Sequence, residues 1–378
     1  MKRRGFLQRT SAGVAGVALL AGCTGTDSGN DGSGAGGSGT TDGSASDSTA
    51  TTGTPSPSGT LRVATYSSFT GEGTAGNWLK AAFEREFSGT TVEFVTPENG
   101  VNQYVQRAAQ GAPIDADLYV GLNTAELVRA RKTLDEPLFR SVGKRLDGAE
   151  RVKEALRIDP QERAVPYDTG YISLVYDENA VEGPKTFDSL LESRYENKLI
   201  TENAQQSDPG RAFLLWSIIT QGEKHYLDYW KQLLDNGVKV LTDWEPAYQA
   251  YSNGEAPMVV SYSTDQVYYH GPDVDMAKHR IGFLNGQGYA NPETMALFAD
   301  AENPRLARRF MEFVLTEKAQ SKIAVKNVQF PAVRGVTPSE EFAKYAKEPP
   351  EAVTHSYDEL AGNVETWVEE WSRLVASA

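Results

Sequence analysis

From Leu61 to the C-terminus, short apolar runs alternate with stretches of helical periodicity, and this rhythm restricts the chain to very few architectures. Segments 61–66, 91–95 and 117–122 read as strands. Between them, 77–87 sets Trp78, Leu79, Ala82, Phe83 and Phe87 at helical spacing. Segment 101–110 is a second helix stopped by Gly111, and 124–131 is a third. Strand–helix alternation of this length predicts a parallel, doubly wound α/β sheet. The pattern changes near Pro166. An apolar strand at 171–176 opens a second α/β series, with helices at 187–195, 210–221 and 224–236 and strands at 198–201, 238–241 and 258–262. Strands at 280–284 and 294–298 precede helices at 304–315, 317–325 and 357–375. About 318 residues in two such series exceed one usual domain, so two α/β lobes are expected. No internal repeat is visible.

The N-terminus has a different character. Lys2-Arg3-Arg4-Gly5-Phe6-Leu7, a short apolar run from Ala12 to Leu20 and the ending Leu20-Ala21-Gly22-Cys23 read as a twin-arginine export signal over 1–23. The Leu-Ala-Gly-Cys ending resembles a lipoprotein signal, which implies lipid on Cys23 and attachment to the outer face of the cell membrane. The apolar run is shorter than the roughly 20 residues a membrane span requires. Residues 24–59 are Ser, Gly, Thr and Asp-rich and contain no aromatic, Lys or Arg. Such a segment buries too little apolar surface to offset its chain entropy, and is expected to be a disordered tether.

Cys23 is the only cysteine, so neither an internal disulfide nor a cysteine-ligated zinc site can form. The net charge is −14, and removal of Lys2, Arg3, Arg4 and Arg9 with the signal makes it about −18. Binding of nucleic acid is excluded by that balance, because phosphate contacts require a basic face. Broad acidity joined to twin-arginine export suggests a halophilic archaeon.

Several stretches carry a resemblance. They are Thr65-Tyr66-Ser67-Ser68-Phe69, Glu98-Asn99-Gly100-Val101, Ala116-Asp117-Leu118-Tyr119-Val120-Gly121-Leu122, Val165-Pro166-Tyr167-Asp168-Thr169-Gly170-Tyr171, Ser207-Asp208-Pro209-Gly210, Asp243-Trp244-Glu245-Pro246-Ala247-Tyr248, Val260-Ser261-Tyr262-Ser263-Thr264 and Trp367-Val368-Glu369-Glu370-Trp371. By their order and spacing, the chain from Leu61 onward resembles the thiamine-binding solute-binding proteins of ABC importers. The resemblance implies a two-lobed fold of the class II periplasmic-binding-protein type, each lobe a doubly wound sheet with flanking helices. It places lobe 1 at 60–168 plus 286–378 and lobe 2 at 169–285, with two crossovers. It implies a monomeric binder, without catalytic residues or cofactor, that delivers thiamine or a thiamine phosphate to a permease and its ATPase.

Thiamine combines a permanent cation, a flat aminopyrimidine and a hydroxyethyl arm. Its site calls for aromatic faces, carboxylates and hydrogen-bonding groups at strand mouths. The resemblance puts Tyr66 against the ligand, with Ser68 on the same loop. Asn99 stands where the family has an acid, and Gly100 lets backbone approach closely. Trp244 offers an indole face to the cation, while Asp243 caps the helix behind it. Tyr262 supplies a second face, and Ser263 and Thr264 supply hydroxyls. Asp265 is divided between ligand binding and a helix-start role. Ser207 and Asp208 open a helix whose free amides suit a phosphate arm. The carboxylate of Asp208 replaces a family hydroxyl and opposes phosphate. Val328 replaces a family tryptophan, a wall that Phe330 or Tyr289 would have to supply.

Two rivals share the fold class. Tyr268-Tyr269 resembles the tyrosine pair of ferric-ion-binding proteins, although His225, His270, His279 and His355 are scattered. A thiamine-processing enzyme related to thiaminase would need a cysteine nucleophile in its cleft, and the single cysteine lies in the signal.

Overall fold

The computed structural model describes residues 58–378. The expected export signal, Cys23 and tether residues 24–57 lie outside the described residues.

The first series contains β1 (Gly59–Ala64), α1 (Ser67–Thr70), α2 (Ala75–Glu86), β2 (Thr90–Val95), α3 (Val101–Ala109), β3 (Leu118–Leu122) and α4 (Thr124–Thr133). Local chemistry marks its boundaries. The Thr74 hydroxyl accepts from the Asn77 amide at the start of α2. Asn123 and Glu126 close a capping box on α4. β1 pairs in parallel with β2 and β3, as the sequence rhythm predicts.

Two long strands follow different rules. β4 (Ala164–Tyr176) starts well before the expected 171, and β9 (Gln287–Leu297) starts before the expected 294. They pair antiparallel along most of their length, with an irregularity between Pro166 and Asp168. That Pro and Asp hide the first half of β4 from a reading based on apolar runs. Ala164, Val165 and Tyr167 belong to one core, and Ile172 and Leu174 to another. β9 likewise contributes Met295, Ala296 and Leu297 to the first core and Tyr289 to the second.

Between these strands lie β5 (Leu199–Glu202), α5 (Asp208–Gln221), α6 (Tyr226–Asp235), β6 (Lys239–Leu241), α7 (Trp244–Ser252), β7 (Met258–Tyr262), α8 (Asp265–Tyr268) and β8 (Arg280–Gly282). β5 pairs in parallel with β6 and β7, while β7 and β8 pair antiparallel with β4. The helix expected over 187–195 is instead two 3-10 turns, Asp188–Leu191 and Ser193–Tyr195. Thr186 and Ser189 exchange side-chain and backbone hydrogen bonds there, which closes a turn rather than propagating a helix.

The chain ends with α9 (Pro304–Val314), α10 (Glu317–Lys326), β10 (Phe330–Pro331), α11 (Glu340–Tyr345), β11 (Glu351–Val353) and α12 (Tyr357–Ser377). α12 packs on both α4 and α6, and its Trp371 meets Trp230 edge-on at 5.4 Å. The main strand path runs β2-β1-β3-β9-β4-β7-β5-β6. The sheet is therefore mixed rather than wholly parallel. β4 and β9 carry the chain between two α/β lobes, and the antiparallel pairing is confined to the strands around them.

Candidate functional site

Tyr66 ends β1, and its half-buried ring lies over Gly121 of β3. A Cβ at Gly121 would come within 2.5 Å of that ring. Tyr262 ends β7 and repeats the arrangement over Gly170 of β4, again at 2.5 Å. Each tyrosine is thus seated on bare backbone, which fixes its plane.

Carboxyl groups gather around these rings. The Tyr66 hydroxyl donates to Glu293 Oε2 at 2.8 Å, and the Tyr167 hydroxyl donates to the same oxygen. Asn327 Nδ2 donates to Asp168 Oδ2 at 2.8 Å and approaches the Tyr66 hydroxyl at 3.2 Å. Asp168 and Glu293 are cross-strand partners in β4 and β9. Asp168 is fully buried, and its Oδ1 has no hydrogen-bond partner among the described residues. Burial, with Glu293 beside it, holds the Asp168 carboxyl well above the usual carboxylate range. Burial also raises Glu293, although the Tyr167 and Tyr66 hydroxyls act against the rise. Asp208 and Glu126 extend the series. Burial and then Asp208 push Glu126 up to about 7. Burial, followed by the charges of Asp208 and Glu293, holds the Tyr262 hydroxyl well above its ordinary value.

Asp208 does not fold back onto the amides of α5. Asn123 Nδ2 donates to its two oxygens at 3.0 and 3.1 Å, and Arg211 stands at 3.4 Å. The cap residue that precedes α4 thus holds this carboxylate. Ser207 precedes the helix, and its buried hydroxyl has no partner among the described residues. Asn123, Asp208, Arg211, Tyr289 and Asn291 line one small cavity. Tyr289 therefore stands beside Asp208, whereas Phe330 packs against Tyr171 and Phe342 in a separate core.

Trp244 is half-buried at the start of α7. Its indole N–H donates to Ser261 Oγ at 3.0 Å, and its ring stacks on Tyr248 at 5.1 Å. Asp243 accepts from the Trp244 amide, the expected cap. Ser263 and Thr264 are buried after β7, and the Ser263 hydroxyl has no partner among the described residues. Ser68 and Asn99 are exposed, and Gly100 adopts φ 53° just before α3, where a Cβ would lie 3.4 Å from the Tyr119 hydroxyl.

Asp265 is already engaged by its neighbours. Its carboxylate accepts from the Tyr248 hydroxyl and meets His279 Nδ1 at 2.8 Å. Both oxygens are committed to a buried cluster, so Asp265 braces α8 against α7. Of the adjacent tyrosines, Tyr269 stacks between Tyr248 and His279, while Tyr268 is exposed. Val328 is buried with φ 57°, an unusual conformation for a β-branched residue, and turns the backbone beside Asn327.

Sequence reasoning missed Asn123, Glu126, Glu293 and Asn327 as site residues. Asp168 was visible only within the stretch from Val165 to Tyr171 that carries the resemblance, and not as a site residue.

Comparison with known proteins agrees with this architecture. Residues 78–350 match the family model described as bacterial extracellular solute-binding protein. A thiamine-binding periplasmic protein of Escherichia coli (strain K12) is 30% identical over 84% of this chain and 93% of its own. The corresponding protein of Salmonella typhimurium is 28% identical over 84% and 93%. Among solved structures, a periplasmic thiamin binding protein superposes with TM-score 0.72 at 27% identity, covering 84% of this chain and 96% of that one. An apo ferric ion-binding protein A of Pasteurella haemolytica gives TM-score 0.69 at 14% identity, covering 83% and 97%, a likeness of fold alone. With two lobes joined by two long strands, and a family match spanning most of its length, the chain belongs to the bacterial extracellular solute-binding proteins.

Proposed function

We propose that the protein captures thiamine outside the cytoplasm and delivers it to an ABC importer. The observation that carries this reading is the linked series of carboxyls, Asp168, Glu293, Asp208 and Glu126, gathered near the hydroxyl ends of Tyr66 and Tyr262. Acidic groups beside aromatic faces favour a flat organic cation. The names of the relatives support the same ligand. In this reading Tyr66, Trp244 and Tyr262 form the aromatic walls, and Tyr289 stands in for the tryptophan replaced by Val328. Ser68, Asn99, Gly100, Ser207, Ser263 and Thr264 offer hydrogen bonds to the pyrimidine and the hydroxyethyl arm. Binding by a solute receptor requires no catalytic group and no cofactor.

Lobe 1 comprises 60–168 plus 286–378 and lobe 2 comprises 169–285, with α12 lying across onto the second. The receptor acts as a monomer, exported by the twin-arginine route and held to the membrane by lipid on Cys23. Cys23→Ser should release it into the medium or leave its signal uncleaved; correct processing with retention at the membrane would end the lipoprotein reading.

Calorimetry of residues 60–378 against thiamine, its mono- and diphosphate, and ferric ion tests the ligand. Free thiamine should bind more tightly than the diphosphate, since the Asp208 carboxylate lies at the start of α5. Trp244→Ala should cost about 1–3 kcal/mol of thiamine binding, from lost cation–π and apolar contact. Ferric binding without thiamine binding would overturn the proposal.

A further inference from the structure

We propose that capture of the cationic ligand expels a proton from the Asp168–Glu293 pair, so that the two crossover strands couple binding to pH. The inference rests on the thiamine reading and adds a linked ion to it.

The geometry is specific. Asp168 and Glu293 face each other across β4 and β9, and register partners in an antiparallel pair project to the same side of the sheet. Asp168 is fully buried with Oδ1 unpartnered among the described residues, whereas Glu293 is half-buried against the Tyr66 and Tyr167 hydroxyls. Asn327 joins the two through Asp168 Oδ2 and the Tyr66 hydroxyl, and that hydroxyl donates to Glu293. The groups acting on the pair are Tyr66 from the loop after β1, Tyr167 from β4, Asn327 after α10 and Asp208 from α5; Tyr262 at the end of β7 in turn feels Glu293. All of these are neutral or acidic. Two carboxyls so placed repel each other when both are ionised, and without the cation one of the pair keeps its proton. Burial raises both groups, in keeping with this.

A cation arriving on the Tyr66 face stabilises the doubly ionised pair. The proton leaves to solvent, and positive charge is exchanged for positive charge. Glu126 is a weaker source, because Arg211 and Arg129 already offset its environment and its carboxylate accepts from the Asn123 amide. Affinity for a cation should therefore rise with pH, by up to about tenfold per unit where one whole proton is released.

The test is calorimetry of the protein with thiamine in buffers of different ionisation enthalpy, at pH 6, 7 and 8. A neutral thiophene analogue of thiamine serves as the second ligand. It keeps the aminopyrimidine, so protonation of that ring cancels in the comparison. Thiamine should release up to about one proton and bind more tightly as pH rises, and the analogue should do neither. Asp168→Asn and, independently, Glu293→Gln should abolish the release, while Glu202→Gln, which alters a buried acid at the end of β5 outside the proposed site, should retain it. Equal proton release by thiamine and the neutral analogue, or thiamine binding without release, overturns the inference. So does a release lost in Glu126→Gln but kept in Asp168→Asn. Failure of thiamine to bind at every pH would instead overturn the ligand assignment. The wild-type ligand comparison decides the matter even if a variant fails to fold.

Discussion

Gly121 and Gly170 show how single residues set the candidate site. Each sits in a strand beneath a tyrosine ring that occupies the space of an ordinary side chain. Gly121 also has φ 94°, so a substitution there would strain backbone and ring together. Gly170 has no such backbone demand and isolates the steric effect. A methyl at Gly170 would meet ring carbons of Tyr262 at 2.5 Å and Gln329 Oε1 at 2.7 Å. Gly170→Ala should therefore displace Tyr262, lowering stability by about 1–3 kcal/mol. Thiamine affinity should fall by roughly tenfold if the ring supplies about 1.4 kcal/mol of cation–π and apolar contact. Thermal unfolding and calorimetry read the two effects separately. A destabilised variant with unchanged affinity would remove Tyr262 from the ligand wall.

At the scale of elements, α7, α8 and the turn before β8 are joined by Tyr248, Asp265 and His279. Asp265 is 5% exposed and accepts from both ring systems, so its carboxylate contributes to holding these elements together. Asp265→Asn keeps the size and removes one acceptor, leaving a buried partner imperfectly bonded. It should cost about 1–3 kcal/mol of stability, seen as a lower urea midpoint. Thiamine affinity should change by less than about twofold, or 0.4 kcal/mol. A large loss of affinity at unchanged stability would return Asp265 to the site. The same elements show what was legible in the sequence. Short parallel strands and amphipathic helices were readable because period and apolar content coincide locally. β4 was half hidden, since Pro166 and Asp168 interrupt its apolar run while β9 supplies the pairing. Tyr66, Trp244 and Tyr262 were readable as large rings at element ends. Asn123 and Asn327 were not, because their meaning lies in bonds to Asp208, Tyr66 and Asp168, 85 to 261 residues away in sequence.

The whole molecule carries a net charge of −14, and its response to pH combines surface repulsion with buried acids. Glu202 separates the two. It ends β5, is fully buried, and neither carboxylate oxygen has a partner among the described residues. Burial, then the charge of Asp243, raises its carboxyl well above the ordinary value. The folded state therefore holds this proton more tightly than the unfolded chain does. Stability from Glu202 is fully present below its unfolded value of about 4.3 and is lost as pH rises toward the folded value. Asp168, Glu293 and Glu126 are raised as well and slope the same way. Glu202→Gln removes one member of this set while preserving shape. At pH 8 the variant should be more stable than the wild type by about 1–3 kcal/mol, the order expected for relieving a buried ionisable group. At pH 4 the two should be nearly equal. Salt provides the second axis. Repulsion among exposed carboxylates is screened within about 3 Å at 1 M, whereas a buried acid is screened far less. The pH-dependent difference between wild type and variant should thus survive molar salt, even as the overall slope of stability with pH flattens. Urea melts at both pH values, with and without salt, measure this directly. A gain of equal size at both pH values would mean that repacking, not the charge of Glu202, separates the two proteins.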